Sequence, residues 1–244
     1  MREAFTPRTF HIATLGFAGL VQLVISPSVW LFRDDWSAIL LPSDQWWSPQ
    51  VGHWSTSVFA YFAWMRDIFG VDSFLPFAIP VILVHLAFVH VVWRIGLRVG
   101  ANAGVVSSLA AFLLFFHHVG YSNILRACTV GTIGALVLGL MVLLILDRER
   151  LRVRDWIVVI VLSVFSLTLA ATAVPVLIAA GVVSLVRQGW WRTVGLLGPA
   201  GATFLTWYAL VGRNTGAEGA ADSLRPLDPD VPRYIFHIII DGIG

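Results

Sequence analysis

The run Ala135–Phe165, "ALVLGLMVLLILDRERLRVRDWIVVIVLSVF", decides the fold. Two uncharged apolar stretches flank the segment "DRERLRVRD", Asp147–Asp155, in which seven of nine residues are charged. A helix crossing a bilayer needs roughly 20 mainly apolar residues. The stretch Cys128–Leu146 has that length and composition, and the charged segment after it reads as a loop between two spans.

The same alternation runs through the chain. Apolar spans are expected at Phe10–Phe32, Phe77–Leu97, Val105–His118, Cys128–Leu146, Trp156–Ala171, Val174–Val186 and Val194–Val211. Two of these, Trp156–Ala171 and Val174–Val186, read as a hairpin broken near "ATAVP", where Pro175 lacks a backbone donor. An eighth apolar run begins at Tyr234, and the chain is expected to continue beyond Gly244. Composition agrees: 58% of the residues are hydrophobic, 12% are charged, and mean hydropathy is +0.83. So few charges leave too little polar surface for a soluble domain. The expected fold is all-α, a multi-pass helical membrane protein of about seven or eight transmembrane helices in a single transmembrane domain over 1–244.

Arginine sets the orientation, because cytoplasmic loops collect Lys and Arg. All 16 basic residues are arginine. Arg2 with Arg8, Arg94 with Arg98, the Asp147–Asp155 loop, and Arg187 with Arg192 fall on one side if the spans alternate. The N-terminus is therefore expected in the cytoplasm and the protein in the inner (plasma) membrane. The N-terminal apolar run lacks the short core and small-residue cleavage site of a signal peptide, so it reads as a retained span. A net charge of +2 is too slight to argue for a nucleic-acid partner. The sole cysteine, Cys128, has no internal disulfide partner and reads as a buried spectator thiol.

The opposite side receives residues 33–76 and 212–233, and the first of these loops holds the polar chemistry. It opens "RDDWSAILLPSDQWWSPQVGHWS", Arg33–Ser55, with three aspartates, four tryptophans and a histidine. From Ser55, Val58, Phe62, Met65 and Phe69 recur at helical spacing, with Tyr61, Trp64 and Ile68 beside them. Ser55 or Thr56 is the expected cap and Gly70 the expected stop, giving an amphipathic helix suited to the headgroup layer.

Asp34 and Asp35 are open to two readings: a helix start for "WSAILL", or a general base at the membrane surface. His53 and Trp54 flank a helix N-terminus, where N–H groups can hold phosphate, though Trp in this layer is also an ordinary anchor. Arg126 has the planar fork that suits phosphate, and it follows His117 and His118 in the next loop on that side. His85 and His90 lie within a span, five apart and off one face, and read as neutral imidazoles bonded within the bundle. Asp44 reads as a turn residue after Pro42. No complete span carries a central Asp or Glu, which argues against an ion-coupled transporter.

A first span, then "DDW", "GHWS", an aromatic helix and "DIFGVDSFLPF" resembles the N-terminal part of bacterial GT-C membrane glycosyltransferases. "LPFAIPVILVHLAFVHVVWRI" and "SLTLAATAVPVLIAAGVVSLV" resemble the following segments of that family, so the likeness covers Arg8 to Arg213. The resemblance implies sugar transfer from a polyprenyl-phosphate donor to a cell-envelope acceptor on the outer face, with inversion. It implies a base at Asp34 or Asp35, and substrate contacts at His53, Trp54, Arg126 and Arg33. The cofactor is open; a divalent cation is a candidate, with Asp35 and His53 as possible ligands. Two features depart from the family's pattern: the loop "HHVGYSNILRA" has no acidic residue, and "LAATAVP" has no charged pair. Expected partners are the lipid-linked sugar and membrane lipid. The alternatives are a non-catalytic membrane protein of the same fold that binds lipid or a partner, and a lipid or solute transporter.

Overall fold

The computed structural model describes residues 6–49, 53–115 and 126–212. Nine helices occur among them: α1 Pro7–Ile25, α2 Arg33–Leu40, α3 Thr56–Phe69, α4 Leu75–Arg98, α5 Ala103–Phe115, α6 Thr129–Leu146, α7 Val153–Leu169, α8 Ala173–Gln188 and α9 Trp190–Trp207. Four helical stretches are long and apolar enough to cross a bilayer: Pro7–Ser28, Leu75–Arg98, Thr129–Leu146 and Trp190–Gly212. The run from Tyr234 and the loop residues His117 and His118 lie outside the described residues, as does most of 212–233.

The first span ends earlier than its hydropathy predicts. Thr6 caps α1 by accepting the Thr9 N–H, and the helix stops at Ile25. A 3-10 turn over Ser26–Ser28 follows. Pro27 supplies no backbone donor there, and the hydroxyls of Ser26 and Ser28 donate to the carbonyls of Leu23 and Ile25. Hydropathy alone does not register this local competition. The expected break at "ATAVP" does occur: α7 ends at Leu169, Ala170 is extended, and Pro175 sits in the first turn of α8, where its missing donor costs little.

Helix α4 occupies the middle of the bundle, packing against α1, α5 and α6, while α6 in turn packs on α7 and α8 and α9 crosses both α7 and α8. Small residues permit the closest approaches. A Cβ on Gly139 would lie 2.9 Å from Val176 Cγ1, so the Val176 side chain of α8 packs directly on the α6 backbone. Apolar side chains also face outward, including Phe17, Val24, Leu83, Ile157 and Val161. So much exposed apolar area is costly in water and suits a hydrocarbon surround. Inside the bundle several polar side chains pair with one another. Gln22 bonds the His85 ring at 3.0 Å, and the His11 and His90 rings meet at 3.2 Å. His85 and His90 were expected off one face, yet both reach α1.

Hydrogen bonds sort the polar groups into two ends. At one end Asp147 accepts from Arg98, 2.8 Å, and pairs with Arg187, 3.2 Å. Arg148 pairs with Asp155 and Ser107 donates to the Pro7 carbonyl. Among the described residues this end collects nine arginines and three acids. Residues 31–74, 126–132 and 168–173 meet at the other end, with five aspartates and three arginines among those described.

Candidate functional site

At the acidic end, the start of α2 separates the two aspartates into different roles. Phe32 is the N-cap, so Asp34 and Asp35 occupy the second and third helical positions. The third position points back at the cap, and Asp35 Oδ2 accepts the Phe32 N–H at 2.8 Å. Its other oxygen accepts the Cys128 N–H at 2.7 Å. Asp35 is fully buried, and it ties α2 to the segment that opens α6. The helix-start reading of the pair therefore holds for Asp35, through the third position in place of the cap.

Asp34, about 100° further round the helix, points to solvent with its side chain 69% exposed. It accepts from Arg126 Nη2 at 2.6 Å. The guanidinium also lies 5.0 Å above the Phe32 ring, a cation–π contact that fixes its plane. Arg126 is itself mostly covered, and its Nε is buried without a hydrogen-bond partner. The result is an exposed carboxylate beside a largely covered guanidinium.

The floor beneath is dry. Phe62, Phe77, Ala127 and Ile39 are buried together, with Tyr61 and Cys128 packed against them. Burial, then the nearby Asp35 charge, pushes the Cys128 thiol up to about 12. The same two causes raise the Tyr61 phenol. The helix α3 supplies much of this floor. It begins after Ser55 and ends at Gly70, whose φ of 69° suits glycine. Val58, Phe62 and Met65 face inward as their spacing predicts, whereas Trp64, Ile68 and Phe69 are exposed.

Trp54 belongs to an aromatic stack. It is buried, its ring lies parallel to Trp207 at 5.1 Å, and its Nε1 donates to Thr56, which donates to the Trp46 carbonyl. Trp207 donates to the Trp47 carbonyl. These rings border a cavity of about 410 Å³ that also takes in Thr203 and Thr206. Trp47 and Trp207 carry no motif that singles them out in the sequence, since the pair is 160 residues apart.

His53 is exposed and forms no hydrogen bond or ion pair with either aspartate among the described residues. Both Asp35 oxygens accept N–H groups, from Phe32 and Cys128. Among the described residues no three His, Cys, Asp or Glu side chains cluster as metal ligands. Arg33 opens α2, but its side chain lies outside the described set. Asp44 sits in a 3-10 turn after Pro42, as its sequence context predicts.

Fold and site together define a helical protein whose apolar helices suit a membrane, with the Asp34–Arg126 ion pair beside the buried Asp35 at the acidic end. No family model, curated protein or solved structure matches the chain.

Proposed function

We propose that the protein is a membrane glycosyltransferase of GT-C type that moves a sugar from a polyprenyl-phosphate donor to a cell-envelope acceptor. In this reading seven helices, all but α2 and α3, cross the inner membrane. The arginine-rich end faces the cytoplasm, as the positive-inside rule requires. The α2–α3 loop then rests on the outer face, with Trp64, Ile68 and Phe69 toward the headgroups.

The observation that carries the proposal is the Asp34–Arg126 pair over a dry floor, at the end where a lipid-linked phosphate would lie. Asp34 takes the proton of an acceptor hydroxyl as the oxygen forms a bond to the anomeric carbon. The bond from that carbon to the phosphate oxygen breaks, and the phosphate leaves with the electron pair. Arg126 stabilises the departing charge as the guanidinium nearest the base. The lipid tail holds donor and base at one depth, which removes much of the entropic cost of bringing them together. Asp35 holds α2 in place beneath the reacting groups.

The test is sugar transfer by the full-length protein in detergent, with a polyprenyl-phosphate sugar as donor. Turnover with inversion supports the reading; donor binding without turnover supports a non-catalytic lipid-binding protein of the same fold. The polar seam between α1 and α4, His11–His90 and Gln22–His85, favours a transporter as the second reading. Substrate-driven uptake that is lost in His85→Ala or His90→Ala would establish it.

A further inference from the structure

At the arginine-rich end, α4 and α6 leave a cavity of about 380 Å³ between them. Its wall is mainly apolar, with Val91, Met141 and Leu144 beside the His90 ring, and Arg94, Arg98 and Arg148 also line it. Two rim arginines are already engaged: Arg98 with Asp147 at 2.8 Å and Arg148 with Asp155 at 3.0 Å. Asp147 is divided between Arg98 and Arg187, so one carboxylate serves two guanidiniums. Arg94 has no ion-pair partner among the described residues. It also borders a second cavity, of about 450 Å³, beside Arg8 and Trp93.

An uncompensated guanidinium at the mouth of a greasy trough is complementary to a molecule with a hydrocarbon chain and an anionic head. We propose that this groove binds an acidic phospholipid, with an acyl chain along Val91, Met141 and Leu144 and the headgroup phosphate on Arg94. A free phosphate would leave the apolar wall unused. A zwitterionic lipid would bring its own cation to a rim that already has surplus positive charge. The proposal rests on the chain residing in a bilayer and is independent of sugar transfer, which belongs to the other end.

Native mass spectrometry of the delipidated full chain tests it, with phosphatidylglycerol and phosphatidylcholine offered in equal amounts. Phosphatidylglycerol is expected to be retained preferentially, and excess inorganic phosphate is expected not to displace it. Arg94→Gln should weaken that binding about fivefold, the effect of one basic residue near an anionic headgroup. Arg94→Lys should keep most of it, and Arg192→Gln, which does not border the groove, should not change it. Met141→Trp, which fills the apolar wall without touching charge, should also reduce retention, and it stands in if Arg94→Gln does not fold. Equal retention of the two lipids, unchanged binding in folded Arg94→Gln or Met141→Trp, or displacement by phosphate alone would overturn the assignment.

Discussion

Two adjacent aspartates divide the work at the acidic end, and substitution should separate them. Asp35→Ala leaves two backbone N–H groups, those of Phe32 and Cys128, without their acceptor. A loss of about 1–3 kcal/mol is expected, visible as a lowered melting temperature. Asp34→Asn breaks only an exposed ion pair and should cost under about 1 kcal/mol. The sequence displays the acidic pair but not the position of each member on the helix, which depends on where α2 begins. Nor can it show that Arg126, 92 residues away, meets Asp34. Cys128 gives a further check at this scale. Its thiol is raised to about 12 by burial and by Asp35, so the folded state disfavours the thiolate. Alkylation by iodoacetamide at pH 8 is expected to be far slower in the folded protein than after denaturation. The thiol's contribution to stability is full below the ordinary cysteine value, about 8.5, and fades as pH rises from there toward 12.

At the level of elements, hydropathy locates most helices within a few residues, because length and apolarity suffice for that. It misses what local chemistry does, as at Ser26–Ser28, where hydroxyls and a proline end α1 early. It also misses close approaches. A Cβ on Gly131 would lie 2.5 Å from Val58 Cγ2 and 3.1 Å from the Leu169 carbonyl, where α6 meets α3 and the end of α7. Gly131→Ala should therefore destabilise by about 1–3 kcal/mol. Gly201→Ala, with nothing within 4 Å, should be neutral or gain up to about 1 kcal/mol from helix propensity. Asp147 clamps the ends of α4 and α8 to the loop after α6. The hydrogen bond from Arg98, helped by the Arg187 charge, holds its carboxyl below the usual range. That contribution is complete above the ordinary carboxylate value, about 4, and is lost as pH falls further. Melting curves on Asp147→Asn should show a smaller drop across the acid range than those on the unmodified protein.

For the molecule as a whole, the asymmetry of charge was legible from the arginine positions alone, and nine of the described arginines gather at one end. Single cysteines in a Cys128→Ala background report the sidedness. An impermeant maleimide applied to intact cells should label Ser43→Cys readily and Glu149→Cys only after the membrane is opened. The site at the acidic end was only half legible. Asp34 is visible as a candidate base and Arg126 as a residue type suited to phosphate. Their pairing, the Phe32 platform and the Trp54–Trp207 stack depend on tertiary contacts between distant segments.

The decisive measurement is sugar transfer in proteoliposomes by full-length protein carrying Asp34→Asn, with melting temperature recorded on the same sample. Transfer should fall by about 100-fold or more, as for loss of a general base, while the melting temperature stays near that of the unmodified protein. Transfer at the original rate by a correctly folded Asp34→Asn protein would contradict the assignment of Asp34 as the base.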